Sequence, residues 1–242
     1  MRLLLPLPPG QEADRRLGVT ALRELYAFPD QPTWRALMVS TLDGSAAGAD
    51  QLSGSLGTAG DARIFTVQRS LADTVVVGAG TVRAEQYTRL SPERGQRVAP
   101  LLVVVSRSGS LPAGVVPHSG RQGGVVLAVT ASAPIQARRH AQSVLGKDAV
   151  WELGEGGIDH HALRERLTSL GHHRVLCEGG PTLLGSMCAA GVVDELSLTW
   201  VPQVVAGAGP RITHGPDLAL SLRPRLLLED RGTLLGLWQV SD

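Results

Sequence analysis

Three short segments of the 242-residue chain carry residues whose types and spacing suit chemistry. The first, Ser40-Thr41-Leu42-Asp43-Gly44, ends an apolar run with a carboxylate and a glycine. If that run is a strand, Asp43 stands at the carboxyl edge of a sheet, where open α/β folds bind ligands. The same dipeptide also suits a plain strand-ending turn. The second, Val75-Val76-Val77-Gly78-Ala79-Gly80-Thr81, reads as a strand feeding a glycine turn and then a helix. Glycines there let backbone N–H groups approach a phosphate at the helix start. Arg83 occupies the place of the last glycine of the full dinucleotide fingerprint. The third, Cys177-Glu178-Gly179-Gly180-Pro181-Thr182-Leu183-Leu184-Gly185, repeats the arrangement, and Pro181 suits the first turn of a helix. Two such junctions on one sheet edge suit a dinucleotide. Ser106-Arg107 follows directly on another apolar run. An acidic residue after such a strand would hold a ribose 2′-hydroxyl, whereas Ser-Arg suits a 2′-phosphate, so NADPH is the expected cofactor.

The elements that must position these segments alternate along the chain. Helical spacing of apolar residues predicts helices over 18–28, 60–72, 133–144, 160–170 and 181–190. Strands are predicted at 34–40, 74–78, 101–105, 125–129 and 174–177, several as unbroken β-branched runs that suit a parallel sheet covered on both faces. The tail, with runs at 195–201, 225–230 and 234–240 and no helix between them, predicts antiparallel strands closing one edge. The Gly-rich stretch 48–58 is long enough to be a lid or binding loop. The expected architecture is a single α/β domain over 1–242, three-layered α-β-α around a mixed, mostly parallel sheet, with 1–33 as an N-terminal extension and helix packed on it.

Composition narrows the function. There are 23 basic and 22 acidic residues, a net charge of +1, so nothing favours nucleic acid or an anionic membrane as partner. Aromatic residues are only 3%, too few for a base-stacking platform. Lys147 is the only lysine, which excludes a Walker-type phosphate loop. Met1 to Leu7 is too short an apolar run for a leader and Pro6, Pro8 and Pro9 interrupt it, so a cytoplasmic protein is expected. The pairs His160–His161 and His172–His173 lack partners at ligand spacing, so no metal is expected, and Cys177 and Cys188 read as core. The 29 glycines point to many turns and close backbone approaches.

The order STLDG, SGSLGTAGDAR, VVVGAGTVRAEQY, VVVSR, CEGGPTLLG and DELSLTWVPQVVAGAG resembles the bacterial riboflavin-biosynthesis reductases, over about 34–240. These form the reductase domain of a bifunctional deaminase–reductase and share the dihydrofolate-reductase-like fold. The zinc-deaminase signature is absent from this chain. The resemblance implies NADPH-dependent reduction of a 5-amino-6-ribosylaminopyrimidine 5′-phosphate to its ribitylamino product, and a homodimer. It assigns cofactor contacts to Val39, Gly78, Gly80, Thr81, Glu85, Ser106, Arg107 and the stretch Gly179, Gly180, Pro181, Thr182 and Leu183. It assigns substrate contacts to Ser53, Arg69, Arg89 and Glu178, and catalytic roles to Glu178 and to Asp43, which would organise the site and assist proton transfer. Leu37 and Leu56 depart from the family pattern, which leaves open another pterin- or pyrimidine-like substrate, or a non-catalytic ligand-binding relative.

Overall fold

A computed structural model describes residues 1–5, 17–93, 95–117 and 120–241. Pro6, Pro8 and Pro9 lie outside the described residues. The strands are β1 (Arg2–Leu5), β2 (Thr33–Thr41), β3 (Thr74–Gly78), β4 (Leu101–Ser106), β5 (Val125–Val129), β6 (Val150–Glu152), β7 (Arg174–Cys177), β8 (Glu195–Val201), β9 (Ser221–Asp230) and β10 (Thr233–Ser241). The helices are α1 (Val19–Leu25), α2 (Ala59–Arg69), α3 (Ala79–Ala84), α4 (Ile135–Leu145), α5 (His160–Ser169) and α6 (Pro181–Ala189).

All ten strands form one sheet in the order β1-β9-β10-β8-β2-β7-β3-β4-β5-β6. Pairings from β8 through β6 are parallel. Those among β1, β9, β10 and β8 are antiparallel, so the tail strands close one edge as the missing helices predict. β1 and β6 are the two strands that apolar periodicity does not announce. β6 has only three residues, and β1 takes its place through ladder bonds to a strand more than two hundred positions away.

Alternation along the buried strands divides the core. Val76, Val103 and Val126 pack beneath α5 and α6 through Leu163, Leu167, Leu184 and Met187. Val75, Val77, Leu102, Val104 and Leu127 meet Val82 of α3 and Ala141 of α4 on the opposite face. The antiparallel end is covered on that second face by Leu22 of α1, Tyr26 just after it, and Ile64 and Val67 of α2. Each Val, Leu, Ile or Met among them contributes roughly 1.5–3 kcal/mol when fully buried. Arg35 crosses this layer fully buried, bonded to Glu195 through Nε and Nη2 (2.8 and 2.6 Å) and to the Tyr26 carbonyl (2.7 Å). Its guanidinium lies 4.0 Å over the Phe28 ring. A pair buried this deeply ties the segment after α1 to the sheet and is costly to break from one side.

Candidate active site

The carboxyl ends of β2, β3 and β7 lie side by side, and a cleft of about 820 Å³ opens there. Its walls come from β2, the 48–58 loop, α2, α3 with the following loop, and the start of α6.

The two glycine junctions abut. Gly78 N donates to Gly179 O (2.8 Å), and Glu178 N donates to Val76 O (3.0 Å), so β3 and β7 reach the edge in step. Gly179 has φ +87°, which favours glycine, and a cis peptide joins it to Gly180. A Cβ on Gly180 would stand 2.7 Å from Thr81 Oγ1. No side chain caps α6, so its first-turn N–H groups are left for another partner. This is backbone that a pyrophosphate fits.

Opposite, α2 presents Asp61, Phe65 and Arg69 to the cleft as an i, i+4, i+8 stripe. Thr58 caps the helix, its Oγ1 accepting from Asp61 N at 3.2 Å. At the far end Arg69 grips Glu178 in a side-on pair, Nε to Oε1 2.9 Å and Nη2 to Oε2 2.6 Å. Tyr87 Oη donates to Glu178 Oε2 (2.8 Å), and the Arg69 guanidinium lies 4.4 Å over the Phe65 ring. Burial alone would lower the pKa of Arg69, but its pairing with Glu178 outweighs this and raises it. Burial and then the Glu178 charge push the Tyr87 phenol well above its ordinary value. Arg69 is therefore held as the charged guanidinium and Tyr87 as a neutral phenol. Tyr87 carries no signal in the sequence beyond its place after the GTVRAE segment.

Ser53 and Glu85 meet directly: Ser53 N (3.1 Å) and Oγ (2.6 Å) both donate to Glu85 Oε1. Glu85 thereby pins the 48–58 loop against the end of α3. Of the residues singled out in the sequence, Val39, Gly78, Gly80, Thr81, Glu85, Arg89, Gly180, Pro181, Thr182, Leu183, Ser53, Arg69 and Glu178 line the one cleft.

Asp43, Gly179, Ser106 and Arg107 are not among the lining residues. Asp43 accepts from Thr41 Oγ1 and from the backbone N–H groups of Val205 (3.2 Å) and Ala206 (2.7 Å). The Thr41 hydroxyl and then the Ala206 amide hold its carboxyl below the usual carboxylate range. Its carboxylate is thus engaged by these donors, outside the lining of the cleft in which the proton transfer expected of it would take place. The turn it anchors bonds the loop after β8, Ala46 N donating to Pro210 O (2.6 Å), and Pro210 lines the cleft. Ser106 is buried at the end of β4, its Oγ donating to Ser110 O (3.0 Å), with Arg107 exposed beside it. His160 is buried with Nε2 2.8 Å from Ser186 Oγ, His172 Nδ1 lies 2.8 Å from Thr74 Oγ1, and burial pushes the Cys177 thiol up to about 12.

The chain matches the family model described as RibD C-terminal domain over residues 32–232. It is 32% identical to the 2,5-diamino-6-ribosylamino-4(3H)-pyrimidinone 5′-phosphate reductase of Methanothermobacter thermautotrophicus, across 71% of this chain and 78% of that protein. The enzyme of the same name from Archaeoglobus fulgidus is 28% identical across 77% and 88%. A pyrimidine reductase-like protein from Corynebacterium diphtheriae shares the fold, with a TM-score of 0.79 at 21% identity over 91% of this chain and 99% of that one.

Proposed function

The chain belongs to the RibD C-terminal domain family, and from that premise we propose that it is an NADPH-dependent reductase of a phosphorylated ribosylaminopyrimidine, converting the ribose to the ribityl side chain. The observation that carries this reading is the convergence, in one cleft, of two abutting glycine junctions and the Arg69–Glu178–Tyr87 cluster. Gly78, Gly80, Thr81 and the uncapped start of α6 at Gly180–Leu183 would hold the cofactor pyrophosphate. Ser106 and Arg107 lie outside the cleft lining, at the carboxyl end of the strand next to β3, and would take the 2′-phosphate of a cofactor that reaches beyond the cleft. NADPH supplies a hydride for the sugar C1′. The protein aligns the sugar. Arg69 and Arg89 offer cationic partners to the phosphate, Glu178 and Tyr87 fix the acceptor end, and Glu85 with Ser53 holds the loop over the cleft to exclude water.

Among the described residues no helix is long and apolar enough to cross a membrane. The reading keeps the chain in the cytoplasm, with Cys177 and Cys188 as free thiols. It also makes the chain a homodimer through the uncovered face of the tail strands, where Trp200 and Trp238 pack edge to face at 4.9 Å. A single monomeric species in sedimentation at micromolar concentration overturns the dimer. Titration with NADPH and NADH, followed by melting, tests the cofactor: NADPH should raise Tm and NADH less. No stabilisation by millimolar NADPH overturns the reading. Oxidation of NADPH dependent on the ribosylaminopyrimidine phosphate then tests the substrate.

A further inference from the structure

Among the described residues three carboxylates line the cleft, and Glu178 and Glu85 are committed to neighbours. Glu178 is neutralised by Arg69 and also accepts from Tyr87. Glu85 accepts the Ser53 amide and hydroxyl. Asp61 is different. Among the described residues it has one side-chain partner, the Thr199 hydroxyl, and it enters no ion pair. It lies at the end of the α2 stripe away from Arg69, beside Gly57, whose added Cβ would stand 3.9 Å from Asp61 Oδ2. Two helical turns separate Asp61 from Arg69, about 12 Å along the axis.

We propose that Asp61 reads the donor edge of the substrate's pyrimidine and selects a 2-amino-4(3H)-pyrimidinone over the corresponding 2,4-dione. This rests on the reductase reading above. A 2-amino-4(3H)-pyrimidinone presents the 2-amino group and N3–H side by side, two donors spaced for the two oxygens of one carboxylate. In the dione, C2 bears an oxygen, so one carboxylate oxygen would face a lone pair. On the ring, C6 lies across from N3. A sugar attached through C6 therefore leaves on the side opposite the edge that Asp61 holds, towards Phe65 and the Arg69 end. Burial raises the Asp61 pKa against the lowering effect of Thr199, the mark of a carboxylate short of donors, which a bound donor pair would supply.

The test compares kcat/KM for 2,5-diamino-6-ribosylamino-4(3H)-pyrimidinone 5′-phosphate and for its 2-oxo counterpart. The wild type should prefer the diamino substrate at least tenfold. In Asp61→Asn that ratio should fall roughly 10- to 100-fold, the worth of hydrogen bonds to a charged group, with the NADPH-induced rise in Tm retained. An unchanged ratio overturns the assignment, as does a wild type that favours the dione. If the variant does not fold, the wild type decides through inhibition by the free rings. The 2-amino-4(3H)-pyrimidinone should compete at least tenfold better than the 2,4-dione, and equal inhibition overturns the proposal. A wild type that binds NADPH but turns over neither substrate overturns the reductase reading, and the role of Asp61 falls with it.

Discussion

Arg69 and Glu178 are 109 positions apart, yet they meet side-on, with Nε–Oε1 at 2.9 Å and Nη2–Oε2 at 2.6 Å. The carboxylate stands at the end of β7 and the guanidinium at the end of α2, so the pair bridges the cleft floor and its helical wall. Their side chains are 2% and 16% exposed, which places the pair well inside the range where geometry, and not bulk screening, sets its worth.

Glu178→Gln keeps the size of the side chain but removes the charge that Arg69 and Tyr87 share. The expected result is a fall of roughly 100-fold in kcat/KM, about 2.7 kcal/mol of transition-state stabilisation, with Kd for NADPH nearly unchanged. Tyr87→Phe removes one of the three hydrogen bonds to the Glu178 carboxylate and should cost about tenfold. Steady-state kinetics and NADPH titration together check both. Parallel loss of cofactor binding would show that Glu178 supports the fold of the junction instead of the substrate.

Gly180→Ala places a Cβ 2.7 Å from Thr81 Oγ1, inside the groove between the two junctions. At a hundredfold excess over Kd, NADPH should stabilise the wild type by about 2.7 kcal/mol. The variant should lose most of that increment while its ligand-free Tm moves less, because the Thr81 hydroxyl can rotate away. Melting curves with and without NADPH decide it.

Asp43→Asn should loosen the loop after β8. The Val205 and Ala206 amides, both donating to this carboxylate, should exchange faster with solvent, and KM should rise more than kcat falls, because Pro210 lines the cleft. A collapse of kcat at constant KM would instead restore a proton-transfer role. Hydrogen exchange of the 203–210 segment provides the readout independent of activity.

Asp73 gives a pH-dependent prediction. Burial would raise its pKa, but the Arg174 side chain and the His173 and Arg174 amides outweigh this and lower it. A carboxyl depressed in the folded state contributes stability above its unfolded pKa and loses it as pH falls through the folded value. Arg174 is half exposed, so solvent screening limits the effect, and Asp73→Asn should cost about 1 kcal/mol at pH 7. The difference between the two proteins should shrink below about pH 4. Urea unfolding at pH 7 and pH 3 measures it.

Much of the site was legible in the residues. Gly78–Thr81 and Gly179–Leu183 announce strand, turn and helix by local rules, because the φ values and N–H groups they free depend on near neighbours. Position in the cleft was another matter. Ser106 and Arg107 follow a strand as a 2′-phosphate site would, yet the fold leaves them outside the lining. Asp43 sits at the strand end as read, but its carboxylate is taken by amides 162 and 163 positions away. Ser53, expected at the substrate, and Glu85, expected at the cofactor, both line the cleft and bond each other there, a contact no local pattern announces.

By itself, the sequence determined the elements and the chemistry available to them. Unbroken Val and Leu runs make strands buried on both faces, and glycine at the turns lets backbone amides face outward. The tertiary structure decided which side chains meet. Placing β7 between β2 and β3 sets Glu178 against Arg69, and the turn of α2 puts Asp61, Phe65 and Arg69 on one stripe, with Asp61 bonded to the Thr199 hydroxyl. Strand order is a long-range choice set by burial of whole faces, and no local pattern records it.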